Sequence, residues 1–558
     1  MLSELTAASD MLLVALERYS AVCLAIQSSY AHGYKPHKVD PQLLPRLDAE
    51  IDLATSLQSK LSCAKAAISW SRNCSHSHVT VDDMPPEVLA SIFHLVLSSH
   101  PCAKRDYRIL DKKTDLMYPA VLSRVCSRWR SIAFSTPTLW THIDLSTSTL
   151  LNKQHIDCLT KLHLSHVGQL SLNVHIFDAR GYEVSRSPHR SGIDSIIVGS
   201  ITRLASRTSS LNMNELGLIN PNSYRKLLSA LLHDSTPGTL TKLTISWYSN
   251  RIYGGHSFLN PNDGPVNHGS TVGLPREQLE NILSHITILR LAGPYPQWTS
   301  RAYHGLVELR LVGRETIDEP DLVGILRASP GLRILQFGLP ISNSLPANAQ
   351  AVPIVLSDLE ALIVWQTSCT LLPSLLRWLA PGPKPLQFGF RVQEETDALT
   401  SEVLQLKEDS LPSFFLRSRL NRVYAKYMGA LSAIELLELS PGIQELAISC
   451  ASFDTFPLME DTTVGSTSEC HLRYFQLSHS SVYVEAVLGF ISHPTFTIGV
   501  IVFHDCRLFR HGVQIPDEQV AIQVEELKAS NPEVKFIVRS REESYLVQVG
   551  SWGPGASL

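Results

Sequence analysis

Two stretches in the first eighty residues carry apolar residues at alternating spacings of three and four. The first stripe consists of Leu2, Leu5, Leu12, Leu16, Tyr19, Cys23 and Ile26. The second consists of Leu47, Ile51, Ala54, Leu57, Leu61, Ala64 and Ile68. This spacing predicts two amphipathic helices with coiled-coil character, separated by the breakers Gly33, Pro36 and Pro41. The pattern leaves open whether they form a hairpin, self-associate or pack on the next domain.

Residues 81–145 predict a small helical unit. An acidic pair, two prolines and Glu87 give a helix start, since proline is tolerated in the first turn of a helix. The first helix carries one apolar face, made of Val88, Leu89, Ile92, Phe93 and Val96. After a polar insertion from Ser98 to Pro119, a second helix carries Val121, Leu122, Val125, Cys126, Trp129, Ile132 and Ala133. A short alternating strand over residues 140–145 follows.

From about residue 146, short strands recur with leucines in the pattern Leu-x-x-Leu-x-apolar. The clearest copies begin at Leu306, Leu332 and Leu359, which are 26 and 27 residues apart. Weaker copies begin at Met213, Leu240, Ile286, Ile443 and Leu472. A period of 20–29 residues is typical of leucine-rich repeats, in which each unit contributes a strand and a helix. We therefore predict an α/β repeat, an irregular leucine-rich-repeat-like solenoid with an extended face for another protein.

Several features depart from a regular repeat. The asparagine that usually ties successive turns together is absent, and Arg314, Pro340, Thr367 and Ala451 stand in its place. Residues 248–273 predict a loop, and the stretch 391–440 predicts mostly helices, including the sequence LNRVYAKYMGALSAIELLEL. Residues 159–164 fit the strand pattern but favour a helix leading to a strand at 170–176, and residues 518–540 predict a last helix and strand.

Composition excludes several classes of function. The chain has 558 residues, 44% of them hydrophobic, and a net charge of −4. A chain without a basic surplus does not favour nucleic-acid or anionic-membrane binding, because phosphates must be neutralised by Lys and Arg. No secretory signal and no apolar run of about 20 residues is visible, so we expect a cytoplasmic or nuclear protein.

No catalytic or metal motif is organised in the sequence. The ten cysteines include no CxxC pair, and the nearest metal candidate, Cys74, His76 and His78, favours a polar linker. The chain lacks GxSxG, Walker, GxGxxG and HExxH patterns. His504, Asp505 and Cys506 are adjacent, and neighbours on a strand point to opposite faces. We expect no enzyme activity and no cofactor.

The order of residues in the helical unit carries a family resemblance. The sequences MPPEVLASIF and VLSRVCSRWRSIAFSTPTLW resemble the F-box, whose pattern runs Leu-Pro-x-Glu, Ile-Phe, Val-Cys-x-x-Trp and a terminal Leu-Trp. Met84 replaces the usual leucine, and the insertion is longer than in the animal-type domain. The insertion and the N-terminal heptad helix look like features of large fungal F-box families.

The resemblance implies a docking site for Skp1, the adaptor that joins cullin and a RING protein in SCF ubiquitin ligases. Aromatic residues commonly dominate interface energies, so Trp129 and the pair Leu139 and Trp140 are the leading anchor candidates. By motif matching, the Skp1-binding positions are Pro85, Pro86, Val88, Leu89, Ile92, Phe93, Leu122, Val125, Cys126, Trp129, Pro137, Leu139 and Trp140.

The sequence therefore predicts three parts: N-terminal helices over 1–79, an F-box over 80–145 and a repeat domain over 146–558. The resemblance implies a substrate-recognition subunit of a ubiquitin ligase that acts by proximity and binds an unknown target protein. The alternative is a repeat scaffold that transfers no ubiquitin. We also expect Arg290, Arg310 and Arg333 to occupy matching strand positions, either as a solvated stripe or as a site for an acidic or phosphorylated target.

Overall fold

The structure is a computed structural model. It describes residues 2–31, 43–73, 81–99, 118–146, 153–177, 195–215, 221–247, 258–262, 270–345, 352–367, 371–392, 410–449, 452–453, 470–494 and 496–539. The chain forms two compact units, residues 1–85 and residues 86–558. None of the described helices combines the length and the apolar character that crossing a membrane requires.

The first unit contains the two predicted N-terminal helices. Helix α1 spans Leu2–Ala31 and helix α2 spans Leu43–Asn73. The Tyr19 hydroxyl donates a hydrogen bond to the Glu50 carboxylate over 3.2 Å, which joins the two helices at one point. Apolar side chains of both predicted stripes are exposed to solvent, so neither helix buries its stripe within the described part of this unit.

The second unit begins with a helical segment, residues 86–146. It contains helix α3 (Pro86–Ser99), α4 (Tyr118–Leu122), α5 (Ser127–Ser135), a 3₁₀ turn (Pro137–Trp140) and strand β1 (His142–Ser146).

The prediction of a single second helix is wrong, because a turn at residues 123–125 divides this segment into α4 and α5. The backbone of Cys126 is extended, with φ −154° and ψ 172°, and its sulfur accepts the N–H of Trp129, capping α5.

Strands and helices then alternate along the rest of the chain. The helices are α6 Lys153–His166, α7 Ser195–Ala205, α8 Pro221–His233, α9 Arg276–Leu283, α10 Glu319–Ala328, α11 Leu371–Leu376, α12 Ser410–Arg417, α13 Ala430–Leu439, α14 Val484–Ile491 and α15 Asp517–Ser530. The strands are β2 Leu172–Phe177, β3 Thr208–Glu215, β4 Lys242–Trp247, β5 Phe258–Asn260, β6 Ser270–Thr271, β7 Ile288–Ala292, β8 Tyr295–Pro296, β9 Glu308–Val312, β10 Ile317–Asp318, β11 Ile334–Gly338, β12 Ile341–Ser342, β13 Ile354–Leu356, β14 Ala361–Thr367, β15 Leu379–Pro381, β16 Leu386–Val392, β17 Leu420–Lys426, β18 Glu445–Ser449, β19 Ser452–Phe453, β20 Cys470–Ser478, β21 Ser481–Tyr483, β22 Phe496–His504, β23 Arg507–Arg510, β24 Val513–Gln514 and β25 Lys535–Arg539.

One large sheet organises the second unit. Fourteen described strands lie side by side in chain order, β1-β2-β3-β4-β7-β9-β11-β14-β16-β17-β18-β20-β22-β25, and neighbours run parallel. The predicted leucines fall in register: Leu289 on β7 lies opposite Leu309 on β9, which lies opposite Leu335 on β11. All three are fully buried. The arrangement is a solenoid-like α/β repeat in which each unit adds one strand.

The stretch 391–440 differs from its prediction. Residues 420–426 form β17, which pairs with β16 and β18, instead of the start of a helix. Leu420, Val423 and Ala425 are buried, and Val423 and Tyr424 are residues that favour strands. The helix prediction therefore extends too far toward the N-terminus from the Ala- and Leu-rich residues of α13. Helix α13 is present as predicted, and residues 393–409 lie outside the described part of the chain.

Other contacts take the place of the absent asparagine ladder. Small parallel sheets link successive repeats, including β10 with β12 and β13 with β15. The fully buried Glu319 carboxylate, at the start of α10, joins three repeats. It accepts hydrogen bonds from the Arg377 guanidinium, the Trp378 indole and the backbone N–H of Leu345.

Candidate functional site

Five of the predicted contact positions form the interior of the helical segment. Leu89, Phe93, Leu122, Leu139 and Trp140 each expose no more than 8% of their surface. They hold α3, α4, α5 and the 3₁₀ turn together, which leaves them little surface to offer to another protein.

Trp140 connects the helical segment to the first helix of the repeat. Its indole N–H donates to the backbone oxygen of Ala133 over 2.7 Å, and its ring lies 4.9 Å from the ring of His166. The Nδ1 of His163 lies 3.1 Å from the Trp140 carbonyl oxygen. Burial lowers the pKa of His163 to about 4, so this imidazole is neutral at pH 7 and donates to that oxygen. The structure therefore places Trp140, one of the leading anchor candidates, between two packed elements.

A second set of predicted positions faces solvent. On α3, the side chains of Val88, Ile92 and Leu95 are exposed at spacings of four and three, which places them on one side of the helix. Leu89 and Phe93 occupy the other side. The motif predicts Val88 and Ile92 as contacts but not Leu95, which lies two residues after its end.

The turn between α4 and α5 exposes further apolar residues. Val121 and Val125 are exposed, and the half-buried Trp129 places its ring 4.8 Å from that of Phe93. The capping residue Cys126 is half-buried. Pro85, Pro86 and Pro137 are exposed as well. We name Val88, Ile92, Leu95, Val121, Val125 and Trp129 the docking face.

The large sheet carries a charge cluster on the face opposite its buried leucines, here called the open face. Arg290 on β7 and Arg310 on β9 lie side by side in register. Both guanidinium groups donate to the Glu308 carboxylate, Arg290 with two bonds of 2.7 and 2.9 Å. Burial raises the pKa of Glu308, but the bonds from Arg290 and the charges of both arginines outweigh it and lower the pKa.

Lys242 adds a third cation to this cluster. Burial, together with the charges of Arg290 and Arg310, lowers its pKa, and Glu308 opposes the shift. Lys242 lies on β4, two strands away from Glu308 on β9. Of these four charged groups, Glu308 alone is negative. The cluster of Lys242, Arg290, Arg310 and Glu308 therefore has a local surplus of positive charge.

The predicted alignment of Arg333 with the other two arginines is wrong. The residue on β11 that lies opposite Arg310 is Gln336, whose side-chain oxygen accepts a bond from Arg310. Arg333 precedes β11 and pairs instead with the Glu360 carboxylate, over 3.1 and 2.8 Å. The reason is the register: Arg333 follows the first leucine of its repeat, whereas Arg290 and Arg310 follow the second.

We expect Glu308→Gln to destabilise the protein by about 2 kcal/mol, because it leaves two poorly exposed arginines without their carboxylate. Glu360→Gln is the matched control, since Glu360 also binds two basic side chains but in an exposed position. Its cost is expected below about 1 kcal/mol. Urea unfolding measures the loss of unfolding free energy in each variant. Equal losses in the two variants would contradict the importance assigned to burial.

The open face also holds aromatic residues that sequence analysis missed. The half-buried rings of Trp365 on β14 and Tyr424 on β17 lie 6.1 Å apart. They reach each other across β16, where Gly389, the register partner of Tyr424, has no side chain. The exposed Tyr474 lies farther along on β20. These aromatic residues alternate along their strands with buried repeat residues. Since side chains on a strand alternate between faces, this alternation in the sequence indicates that they lie on the open face.

The other chemical candidates do not form a site in the described chain. Cys74, His76 and His78 lie outside the described residues. Asp505 contacts His479 over 3.0 Å, and the nearby Cys506 sulfur bonds to the Leu477 carbonyl. Burial raises the pKa of the Cys506 thiol to about 11, so it is protonated at pH 7 and a poor nucleophile.

Comparison with known families identifies one domain. A family model described as F-box-like matches residues 81–146. No curated protein matches the chain. The matched range covers α3, α4, α5, the 3₁₀ turn and β1, and it confirms the resemblance carried by the two quoted motifs.

Proposed function

From the F-box-like domain at residues 81–146, we propose that this F-box protein is the substrate-recognition subunit of an SCF-type ubiquitin ligase. The domain binds Skp1, and through it cullin and a RING protein, while the repeat unit binds a target protein. F-box proteins are typically adaptors without catalysis of their own. The ubiquitin transfer is accelerated by raising the effective concentration of the target.

The observation that supports this proposal is that the matched domain has its own buried core and still exposes the apolar docking face. Phe93 and Trp140 are fully buried, while Val88, Leu95 and Val125 lie in water. Burying one such side chain contributes about 1.5–3 kcal/mol, so a partner with an apolar groove gains substantially by covering several of them. The predicted Skp1 positions therefore divide into contacts, on the docking face, and residues that support it from inside.

The docking face is tested by co-expressing the full chain with Skp1 and comparing two double variants. Val88→Glu with Val125→Glu places two carboxylates on exposed docking positions, so the fold is retained and Skp1 binding is lost. Each position at the centre of an interface contributes about 2 kcal/mol, and we expect the affinity to fall at least about thirtyfold.

The control is Val352→Glu with Leu416→Glu, two apolar residues that are exposed elsewhere in the second unit. It adds the same charges and is expected to keep Skp1 at wild-type stoichiometry. Circular dichroism checks that both variants are folded. Equal binding of Skp1 by the two double variants would overturn the proposed face.

For the target protein, the proposal places the contact on the open face of the sheet. The half-buried Lys242 and Arg290 favour an acidic or phosphorylated segment, and the buried Arg310 adds its positive charge to theirs. Trp365 and Tyr424 offer aromatic contacts on the same face. Arg333 lies directly before β11 and is paired with Glu360. If the triple variant Arg290→Gln, Arg310→Gln, Arg333→Gln is folded and keeps the same bound proteins as the wild type, the arginines are not the contact.

A further inference from the structure

Two histidines and an aspartate meet where the F-box-like domain joins the repeat. His142 and Asp144 are two residues apart on β1, so their side chains point to the same face of the sheet. In the parallel pair of β1 and β2, Asp144 lies opposite His175. The register of one strand pair therefore brings three metal-binding side chains together.

The ligand atoms of the three groups lie close together. The Oδ1 of Asp144 lies 3.0 Å from the Nε2 of His142 and 3.1 Å from the Nδ1 of His175. One ligand atom from each residue lies within 4.8 Å of the other two. Zinc–nitrogen and zinc–oxygen bonds of about 2.0–2.2 Å in a tetrahedron place ligand atoms about 3.3 Å apart. The two observed spacings of 3.0 and 3.1 Å are close to this value, and side-chain rotations would bring the three atoms around one ion.

We propose that His142, Asp144 and His175 bind a Zn²⁺ ion, with the fourth position taken by water. Imidazole nitrogens and a carboxylate oxygen are ligands that zinc prefers. The buried His175 and the half-buried Asp144 are fixed by the sheet, and the exposed His142 leaves a path from solvent. Among the described residues, this is the one group of three or more such side chains with ligand atoms so close.

Two asparagines next to His175 offer hydrogen-bonding groups to the proposed site. The Asn214 amide nitrogen lies 3.2 Å from the Nε2 of His175. When Nδ1 binds zinc, Nε2 carries the proton, and rotation of this amide presents its oxygen as the acceptor. On β3, Asn212 lies opposite His175, and its buried side-chain oxygen has no hydrogen-bond partner in the described chain. A metal-bound water supplies the donor that this oxygen requires.

Zinc at this position ties the last strand of the F-box-like domain to the next strand of the sheet. Because the ion binds the folded chain, it raises the thermal midpoint in proportion to the logarithm of its free concentration. The inference does not depend on Skp1 binding, so it can succeed or fail independently of the proposed function.

The test uses the full chain, stripped with a chelator and titrated with Zn²⁺ by calorimetry and with Co²⁺ by visible absorption. We expect one bound ion per chain, a Co²⁺ spectrum of a four-coordinate site and a raised thermal midpoint. His142→Gln removes an exposed ligand without opening the core, and its affinity is expected to be at least about tenfold weaker. His175→Gln is expected to abolish the Co²⁺ spectrum.

His479→Gln is the matched control, because His479, which follows β20, contacts Asp505, which follows β22, over the same distance of 3.0 Å. It is expected to bind zinc as the wild type does. A second control, Cys74→Ser with His76→Gln, reports on binding by the polar linker. Affinity that is unchanged in His142→Gln, or lost in this linker variant instead, would overturn the assignment.

Discussion

Replacing Glu319 with alanine is expected to destabilise the repeat unit by about 3–5 kcal/mol, because the change leaves a buried guanidinium without its carboxylate. Glu319 is fully buried, and Arg377 is nearly so. The substitution also removes the acceptor for the Trp378 indole and for the backbone N–H of Leu345. Since Glu319 and these donors together lie in three successive repeats, we expect thermal unfolding at a lower midpoint and with a broader transition.

The control is Glu526→Ala, which removes one carboxylate of an exposed ion pair with Arg510. Its expected cost is less than about 1 kcal/mol. A Glu319 variant that unfolds at the midpoint of this control would show that the repeats are held together without the buried carboxylate.

The contribution of Glu319 also depends on pH. Burial raises its pKa, but hydrogen bonds from Arg377, Trp378 and Leu345 outweigh burial, so the pKa lies below the ordinary 4.5. A lowered folded-state pKa gives stability that is present above the unfolded value and is lost as the pH falls through the folded value. The difference in midpoint between wild type and Glu319→Ala should therefore shrink below pH 4.5.

Replacing Trp140 with alanine is expected to destabilise the second unit by about 3–5 kcal/mol, the usual cost of removing a fully buried Trp. The substitution also leaves the Ala133 carbonyl without its donor and opens the packing against His166. Thermal unfolding of the full chain measures the effect.

Trp129→Ala is the comparison within the same domain. Trp129 is half-buried and belongs to the docking face, so its loss should cost less stability and weaken Skp1 binding directly. If Trp140→Ala left the midpoint unchanged but abolished Skp1 binding, the division into supporting and contacting residues would be wrong.

The repeat strands could be predicted because their leucines recur at a nearly constant period and are buried in register. The strand β17 was missed because the Ala- and Leu-rich residues of α13 extend the helix prediction over it, whereas its pairing with β16 and β18 makes it a strand. The prediction for Arg333 failed for a different reason, which the sequence itself shows. Arg333 follows the first leucine of its repeat and Arg310 follows the second, so Arg333 lies three residues too early to align with Arg310.

The F-box-like domain could be predicted from its motifs, but which of its apolar residues are exposed and which are buried could not. Val88 and Leu89 are adjacent in one motif, yet the first is exposed and the second is buried. Apolar character is the same at both positions, so the sequence gives no sign of which side of α3 the core occupies. Part of the cluster at His142, Asp144 and His175 is visible in the sequence, as a His-x-Asp pattern within a strand. The third residue, His175, is brought to the other two only by the pairing of β1 with β2.

The proposed function requires the chain to join a target protein to a ubiquitin ligase through Skp1. The most direct measurement is the mass of the complex formed when the full chain is co-expressed with Skp1 and cullin, by size exclusion with light scattering. We predict a complex with one copy each of Skp1 and cullin for every copy of the chain, lost in Val88→Glu with Val125→Glu. A folded chain that elutes without either protein, or with Skp1 but never with cullin, would contradict the claim and favour the scaffold.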